Sequence, residues 1–243
     1  NELNRYGIRT REIGLNWAKA DSRFDLSKEV NEPNKVGYVV EIDPLNPNST
    51  PKKHTALGRF KHENAELVIS KDGKIIVYMG DDERGEYLYK YVSNESMNEV
   101  KDKSTLLSNG NLYVAKFNDN FTGEWLLLDT QTTGLSSKAE VCIFTRLAAS
   151  KVGATTMDRP EWIASNPKKN EVCCCLTNNK NRGIKTNKGG DKVDVDKVNP
   201  RKNNKYGQIV RWKPRDNNHS SVYFEWDLFV VAGNPNVHDD NNR

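Results

Sequence analysis

The sequence predicts a mainly β protein, a β-propeller of four-stranded antiparallel blades. Short apolar segments with a period of two residues recur between turn-forming residues, as in consecutive strands. The same order of segments returns a second time along the chain. Only 35% of the residues are hydrophobic and 29% are charged, so much of the chain must be solvated loop. We expect about two and a half blades within a single domain over residues 1–243, with one helix near residues 136–149.

The clearest element is a hairpin over residues 62–82. The segment HENAELVIS is followed by the turn Lys71-Asp72-Gly73 and by the apolar run KIIVYMGDD. Because hairpin strands are antiparallel, Glu63 at the start of the first strand should lie near Asp81 and Asp82 at the end of the second. Three carboxylates are therefore expected at one rim.

The rest of the first half follows the same strand pattern. Residues 36–43 (VGYVVEID) and 54–60 (HTALGRF) predict two strands that form a blade end over residues 36–60. Further strands at residues 86–93, at 111–117 and just before residue 129 complete a blade over residues 63–129. Residues 136–149 carry a serine start signal and helix formers, which predict the helix.

The second blade is expected over residues 158–233. Its strands are predicted at residues 161–165, 171–177, 206–212 and 222–231. Residues 178–205 are rich in Lys and Asn and nearly devoid of large apolar side chains, so we expect a solvated loop that does not pack. The alternative is that its lysines attract an anionic substrate.

The repeat suggests a site spread over blades. A propeller needs about four blades to close, so the ring must be completed by further sequence or by another chain. If the first strand of each blade lines the channel, Glu63 and Glu161 stand at its mouth with Asp81 and Asp82, and Asn178 and Asn179 join them. Clustered carboxylates require cations, and hard oxygen ligands suit calcium or a more highly charged metal. Taken singly, each acid could instead be an ordinary turn residue.

Two residues beside Glu161 extend this prediction. Asp158 is another acidic side chain, and Arg159 could grip a phosphate with two parallel hydrogen bonds. An arginine among carboxylates could equally form a structural ion pair, and the residues alone do not decide between the two.

Charge, hydropathy and cysteine spacing give no support for a nucleic-acid-binding protein, a membrane protein or a cysteine-based metal or redox site. A net charge of +4 is too small to indicate nucleic acid or membrane binding, and no apolar run reaches the length of a membrane span. Cys142 and the trio Cys173-Cys174-Cys175 match no metal or redox spacing. They are interpreted as packing residues, with metal ligation or disulfide pairing as the alternative.

Several motifs resemble the PhoX family of alkaline phosphatases along essentially the whole chain. They are NRYGI, RFDL, GYVVEIDP, TALGRFKHENA, VYMGDDERGEYLYKYV, LYVAKF, TRLAASKVGATTMDRPEW, LTNN, NPRKNNKYGQIVRW and FEWDLFVVAG. The resemblance implies a six-bladed propeller with calcium and iron at the channel mouth. It also implies hydrolysis of phosphate monoesters in the periplasm or outside the cell, after twin-arginine export.

The resemblance also implies roles for single residues. Glu63 and Glu161 match metal-binding glutamates, and Arg159 matches a phosphate-contacting arginine. Asp81, Asp82 and Asp158 match less closely, as metal ligands. His54 and His62 are expected to pack or to support the site rather than to catalyse.

Parts of the family pattern are not found in this chain. The iron-binding Thr-Cys-Glu-Glu motif should fall before Asn1, and further ligands beyond Arg243. We therefore expect an incomplete site that is inactive by itself. A non-catalytic, calcium-binding interaction propeller is the alternative.

Overall fold

The computed structural model describes residues 2–11, 14–234 and 236–237, and the chain in these ranges is mainly β. Two strands form a small separate sheet, β1 (Val39–Glu41) and β2 (Lys52–His54). Nine more form one large antiparallel sheet: β3 (His62–Ile69), β4 (Lys74–Asp81), β5 (Leu88–Ser96), β6 (Gly110–Phe117), β7 (Thr122–Leu127), β8 (Pro160–Ser165), β9 (Val172–Leu176), β10 (Gln208–Pro214) and β11 (Tyr223–Val231). The helices are short: α1 (Glu2–Arg5), α2 (Trp17–Ala20), α3 (Thr130–Thr133), α4 (Lys138–Ile143) and α5 (Thr145–Lys151).

The large sheet has two halves, called blades below: β3 to β7 form one of five strands, where four were predicted, and β8 to β11 form one of four strands. Its strand order is β3-β4-β5-β6-β7-β11-β10-β9-β8, so that β7 pairs with β11. The two end strands, β3 and β8, also meet: the Asn64 amide donates to the Ile163 carbonyl at 2.8 Å and accepts from the Ile163 N–H at 3.0 Å. The sheet is therefore nearly closed, and the predicted propeller-like β fold is confirmed.

The predicted hairpin is β3 and β4, with Gly73 in the left-handed region at φ 75°. Two apolar clusters cover opposite faces of β4. Ile76 and Tyr78 pack between the two blades, and the Tyr78 ring meets Trp212 edge-on at 5.3 Å. Val77 and Met79 face the other way, into a cluster closed by α4 and α5. Burial on both faces explains why residues 75–79 form an unbroken apolar run.

The alternation of side chains along β9 determines which face of the sheet each of its cysteines occupies. Cys174 is buried between the blades, whereas Cys173 and Cys175 lie on the opposite, partly exposed face. Cys142 is buried in α4. The prediction that Cys174 and Cys142 act as packing residues agrees with these positions.

The helix over residues 136–149 is broken into α4 and α5. Ser137 caps α4 as predicted, since its hydroxyl accepts from the Glu140 N–H at 3.1 Å. Phe144 leaves the helical region at φ −105° and ψ 46°. The carbonyl of Cys142 in the last turn accepts instead from the Thr145 hydroxyl and the Arg59 N–H, both at 2.9 Å. The prediction of a single helix was therefore wrong.

Two further predictions need correction. Residues 54–60 do not form a strand, because β2 ends at His54 and a 3-10 turn (Thr55–Leu57) leads to Gly58, which turns the chain at φ 84°. Residues 178–205 do pack, because Arg182, Asn199 and Asn204 are buried within them. The sequence prediction rested on the lack of large apolar side chains, whereas this loop packs through hydrogen-bonded polar side chains together with the buried Val193 and Val198.

Candidate active site

The two predicted glutamates occupy equivalent bulges. His62 pairs with Asp81 and Ala65 with Met79, so β3 has one extra residue at Glu63–Asn64. Pro160 pairs with Leu176 and Ile163 with Cys174, so β8 has one extra residue at Glu161–Trp162. Bulges re-aim side chains at sheet rims and are common next to active sites. The internal repeat therefore places Glu63 and Glu161 alike.

The pairing of β3 with β4 and of β8 with β9 also corrects the predicted correspondence between the ends of the two hairpins. Counting from the paired residues, Asp82, the residue after β4, corresponds to Thr177, the residue after β9, and not to Asn179. The Thr177 hydroxyl donates to Glu161 at 2.9 Å. Asn179 lies buried away from this rim and donates to Asp158.

Arg159 links the two blades at this rim. Its Nε donates to Asp82 at 2.9 Å, and its Nη2 lies 2.8 Å from Asp82 and 3.3 Å from Glu161. All three side chains are about one-quarter exposed. Arg159 itself has φ 51°, a left-handed conformation that is uncommon for a long side chain. Such strain collects at functional sites.

A glycine allows the close approach of the two blades. A Cβ on Gly80 would lie 2.7 Å from the Pro160 carbonyl oxygen and 2.8 Å from that of Glu161. Only glycine therefore fits where β4 passes the start of β8. This contact brings Asp82 within reach of Arg159.

Glu63 is exposed, and its side chain has no hydrogen-bond or ion-pair partner in the described part of the chain. Of the predicted site residues, Asp82, Arg159 and Glu161 lie together, and Glu63 stands on the neighbouring strand. Within residues 2–11, 14–234 and 236–237, no group of three or more His, Cys, Asp or Glu side chains could hold a metal ion. These carboxylates can therefore supply only part of a metal site.

Asp81 points the other way and is fully buried. Arg146 from α5 donates to its carboxylate through Nε at 2.7 Å and through Nη2 at 2.6 Å. Glu86 and Arg5 extend this buried network, with Arg5 donating to both Glu86 oxygens at 2.9 Å. Asp81 thus anchors α5 and the N-terminal segment to β4.

Asp158 is also fully buried, and it organises the long loop. One oxygen accepts from Arg182 Nε and from the Asn179 amide, both at 2.7 Å, and the other accepts from Asn204 at 3.0 Å. The predicted acids Asp81 and Asp158 therefore each hold a buried guanidinium group. Sequence reasoning missed both arginine partners, because Arg146 and Arg182 lie far along the chain and no local pattern marks them.

The two histidines pack as expected. His62 stacks on Phe60 with ring centroids 3.7 Å apart, and its Nε2 is 3.0 Å from the Gly58 carbonyl oxygen. Burial lowers the pKa of His62 to about 4, so the ring is neutral at ordinary pH. His54 is buried, with Nε2 2.7 Å from Glu41.

A cationic cleft of about 670 Å³ opens beside Arg159. It is lined by Lys61, Asp82, Glu83, Arg84, Arg159, Lys180, Asn181, Lys185, Thr186, Asn187 and Lys188. The long loop contributes six of these residues, so three of its seven lysines line a cleft beside the predicted site.

Comparison with known proteins identifies the family. The family model described as alkaline phosphatase PhoX matches residues 1–243. The chain belongs to the PhoX alkaline phosphatase family. A solved structure, Pseudomonas fluorescens PhoX in complex with vanadate, a transition state analogue, matches with a TM-score of 0.88 and 48% sequence identity. The match covers 99% of this chain and 43% of that chain, so this chain spans less than half the length of that relative.

No curated protein matches the chain. Membership of the PhoX family is the outcome that the sequence motifs predicted. In the residues that the structure describes, no helix is long and apolar enough to cross a membrane.

Proposed function

We propose that the protein carrying this chain hydrolyses phosphate monoesters at a rim where Arg159 contacts the phosphate. The observation that carries this proposal is the arrangement of Arg159, Asp82 and Glu161, held together across two blades of a PhoX-family fold. A guanidinium fixed by two carboxylates is oriented before substrate binds, and pre-oriented donors stabilise charge that develops on the phosphoryl oxygens. The Pseudomonas fluorescens relative binds vanadate, a transition state analogue, which is consistent with phosphoryl chemistry.

Glu63 and Glu161 are proposed as metal ligands, with Asp82 as the next candidate. Their oxygens suit calcium, and the family resemblance implies iron as well. The described residues make only part of such a site, so the remaining ligands must come from elsewhere in the protein. When bound, these metals would polarise the phosphoryl group and activate an oxygen nucleophile.

The roles of this chain's own residues follow from their contacts. Thr177 orients Glu161 through its hydroxyl, and Asp82 holds the guanidinium plane of Arg159. For Asp81 and Asp158, metal binding stays a prediction from the resemblance, while their contacts favour structural support. We also propose that further blades complete the ring and that the protein works in the periplasm or outside the cell.

The test uses the natural gene product, with metals measured by mass spectrometry and hydrolysis measured with an aryl phosphate. We expect Glu161→Ala and Glu63→Ala to reduce both metal content and kcat/KM. Arg159→Ala should keep the metals and lower kcat/KM by about 100-fold to 1,000-fold, as for loss of one transition-state donor. Glu225→Ala, an exposed glutamate on β11, is the matched control and should change neither.

Unchanged hydrolysis in both Glu161→Ala and Arg159→Ala would show that the site is wrongly assigned. Bound calcium without any hydrolysis by the wild type would instead favour the non-catalytic, calcium-binding propeller.

A further inference from the structure

The cationic cleft carries more positive charge than its own carboxylates neutralise. Six of its lining side chains are Lys or Arg, and two are carboxylates, Asp82 and Glu83. A concave surface of one charge sign attracts ions of the other sign. The cleft is continuous with Arg159, where the phosphate is proposed to bind.

The two carboxylates are already paired. Asp82 holds Arg159, as described above. Glu83 accepts from Lys61 and from Lys188, each at 2.9 Å. Glu83 is therefore matched by two ammonium groups and does not neutralise the other cations of the cleft.

Three cations of the cleft have no carboxylate partner in the described ranges of the chain: Arg84, Lys180 and Lys185. Arg84 donates through Nη2 to the Asn178 side-chain oxygen at 2.9 Å. Its Nε is buried and has no hydrogen-bond partner within the part that the structure describes. Nε itself is out of reach of a ligand, but the side chain lines the cleft and has no carboxylate partner in the described residues, so its guanidinium charge is available to an anion bound there.

The two lysines are carried by an ordered part of the loop. Asn179, next to Lys180, is fixed by Asp158, and the Lys185 N–H donates to the Asn181 carbonyl at 3.1 Å. Arg182, which lies between the two lysines, donates to the carbonyl oxygens of Thr156 and Asp194, both at 2.8 Å. The backbone that presents both ammonium groups is therefore positioned before any ligand binds.

We propose that this cleft binds a second anionic group of the substrate, through Arg84, Lys180 and Lys185, while Arg159 holds the phosphate that is hydrolysed. The preferred substrates are then phosphate esters with a second phosphate, such as sugar bisphosphates. A volume of about 670 Å³ lies within the usual range for small-molecule sites and accommodates such a molecule. This inference rests on the proposed phosphatase function.

The test compares fructose 6-phosphate with fructose 1,6-bisphosphate, using phosphate release by the natural gene product. The variant is Lys180→Gln/Lys185→Gln, which changes two exposed side chains. We expect kcat/KM for the bisphosphate to fall about tenfold, mainly through KM, because a charge-assisted contact is lost. For fructose 6-phosphate a fall of about twofold is expected from weaker long-range attraction. Arg84→Gln should show the same selective loss.

The control is Lys168→Gln/Lys169→Gln, which removes the same charge from the turn at the other end of β8 and should change neither substrate. Equal losses on both substrates, or none on either, would overturn the proposed subsite while leaving the phosphatase function intact. Failure of the wild type to hydrolyse either ester would refute the phosphatase function itself and this inference with it.

Discussion

Replacing Asp158 by alanine tests whether this residue is structural. The substitution leaves Arg182 buried without the carboxylate that lies 2.7 Å from its Nε. Removing one partner of a buried ion pair costs about 3–5 kcal/mol. Asp196, 3.9 Å from Nη1 and one-third exposed, offsets part of this loss, so we expect about 3 kcal/mol. That is roughly a 100-fold increase in the population of the opened loop.

The assay is limited trypsin digestion, with cleavage sites located by mass spectrometry. Residues 178–205 contain seven lysines, so opening of this loop exposes many sites. Where reclosing is fast, cleavage follows the opened population and should rise by about the same factor. Asp227→Ala is the matched control: Asp227 pairs with Arg211 but is half exposed, and its loss should cost less than about 1 kcal/mol.

Asp158→Asn completes the experiment, because it keeps the side-chain shape while removing the charge. If Asp158 supports the loop, the metal content of the purified protein should not change with this variant. Loss of metal together with unchanged trypsin resistance would refute the structural role and favour the ligand role that the family resemblance implied.

Two further predictions concern β4 and His62. Gly80→Ala should push β4 away from β8 and destabilise the fold by about 1–3 kcal/mol. It should also lower kcat/KM by about tenfold, because Asp82 is displaced. Ala65→Ser on the exposed face of β3 is the control, and an unchanged kcat/KM in Gly80→Ala would contradict the argument. Because the pKa of His62 is lowered to about 4, the unfolded chain binds this proton more readily, so stability should fall by up to about 3 kcal/mol as pH drops from 6.5 to 4. His62→Gln should flatten that slope in urea denaturation series, and an unaltered slope would show that other groups cause it.

The strands could be predicted because their signal is local. Alternation of apolar and polar side chains, together with the Asp72-Gly73 turn, specifies the β3–β4 hairpin without knowledge of distant partners. The same holds for the repeat, which predicts equivalent positions for Glu63 and Glu161, and the matched bulges of β3 and β8 agree with that prediction.

The structural roles of the buried residues Asp81 and Asp158 could not be predicted from local sequence patterns. Asp81 pairs with an arginine 65 residues away, and Asp158 collects donors from three positions of a loop that has the composition of a solvated segment. Polar packing of this kind depends on exact three-dimensional partners, whereas apolar periodicity does not. The break at Phe144 was missed for the same reason, since the donors that end α4 include Arg59 from another part of the chain.

The buried position of Arg5 has a consequence for synthesis of the chain. Arg5 is made well before its partners, because its guanidinium contacts Glu86, which follows 81 residues later, and Asp191, which follows 186 residues later. At about 5–20 residues per second, roughly 10–40 s pass between translation of Arg5 and that of Asp191. The segment around Arg5 therefore cannot complete these contacts until β3 to β9 have been made, and its full docking is a late step that depends on the rest of the fold.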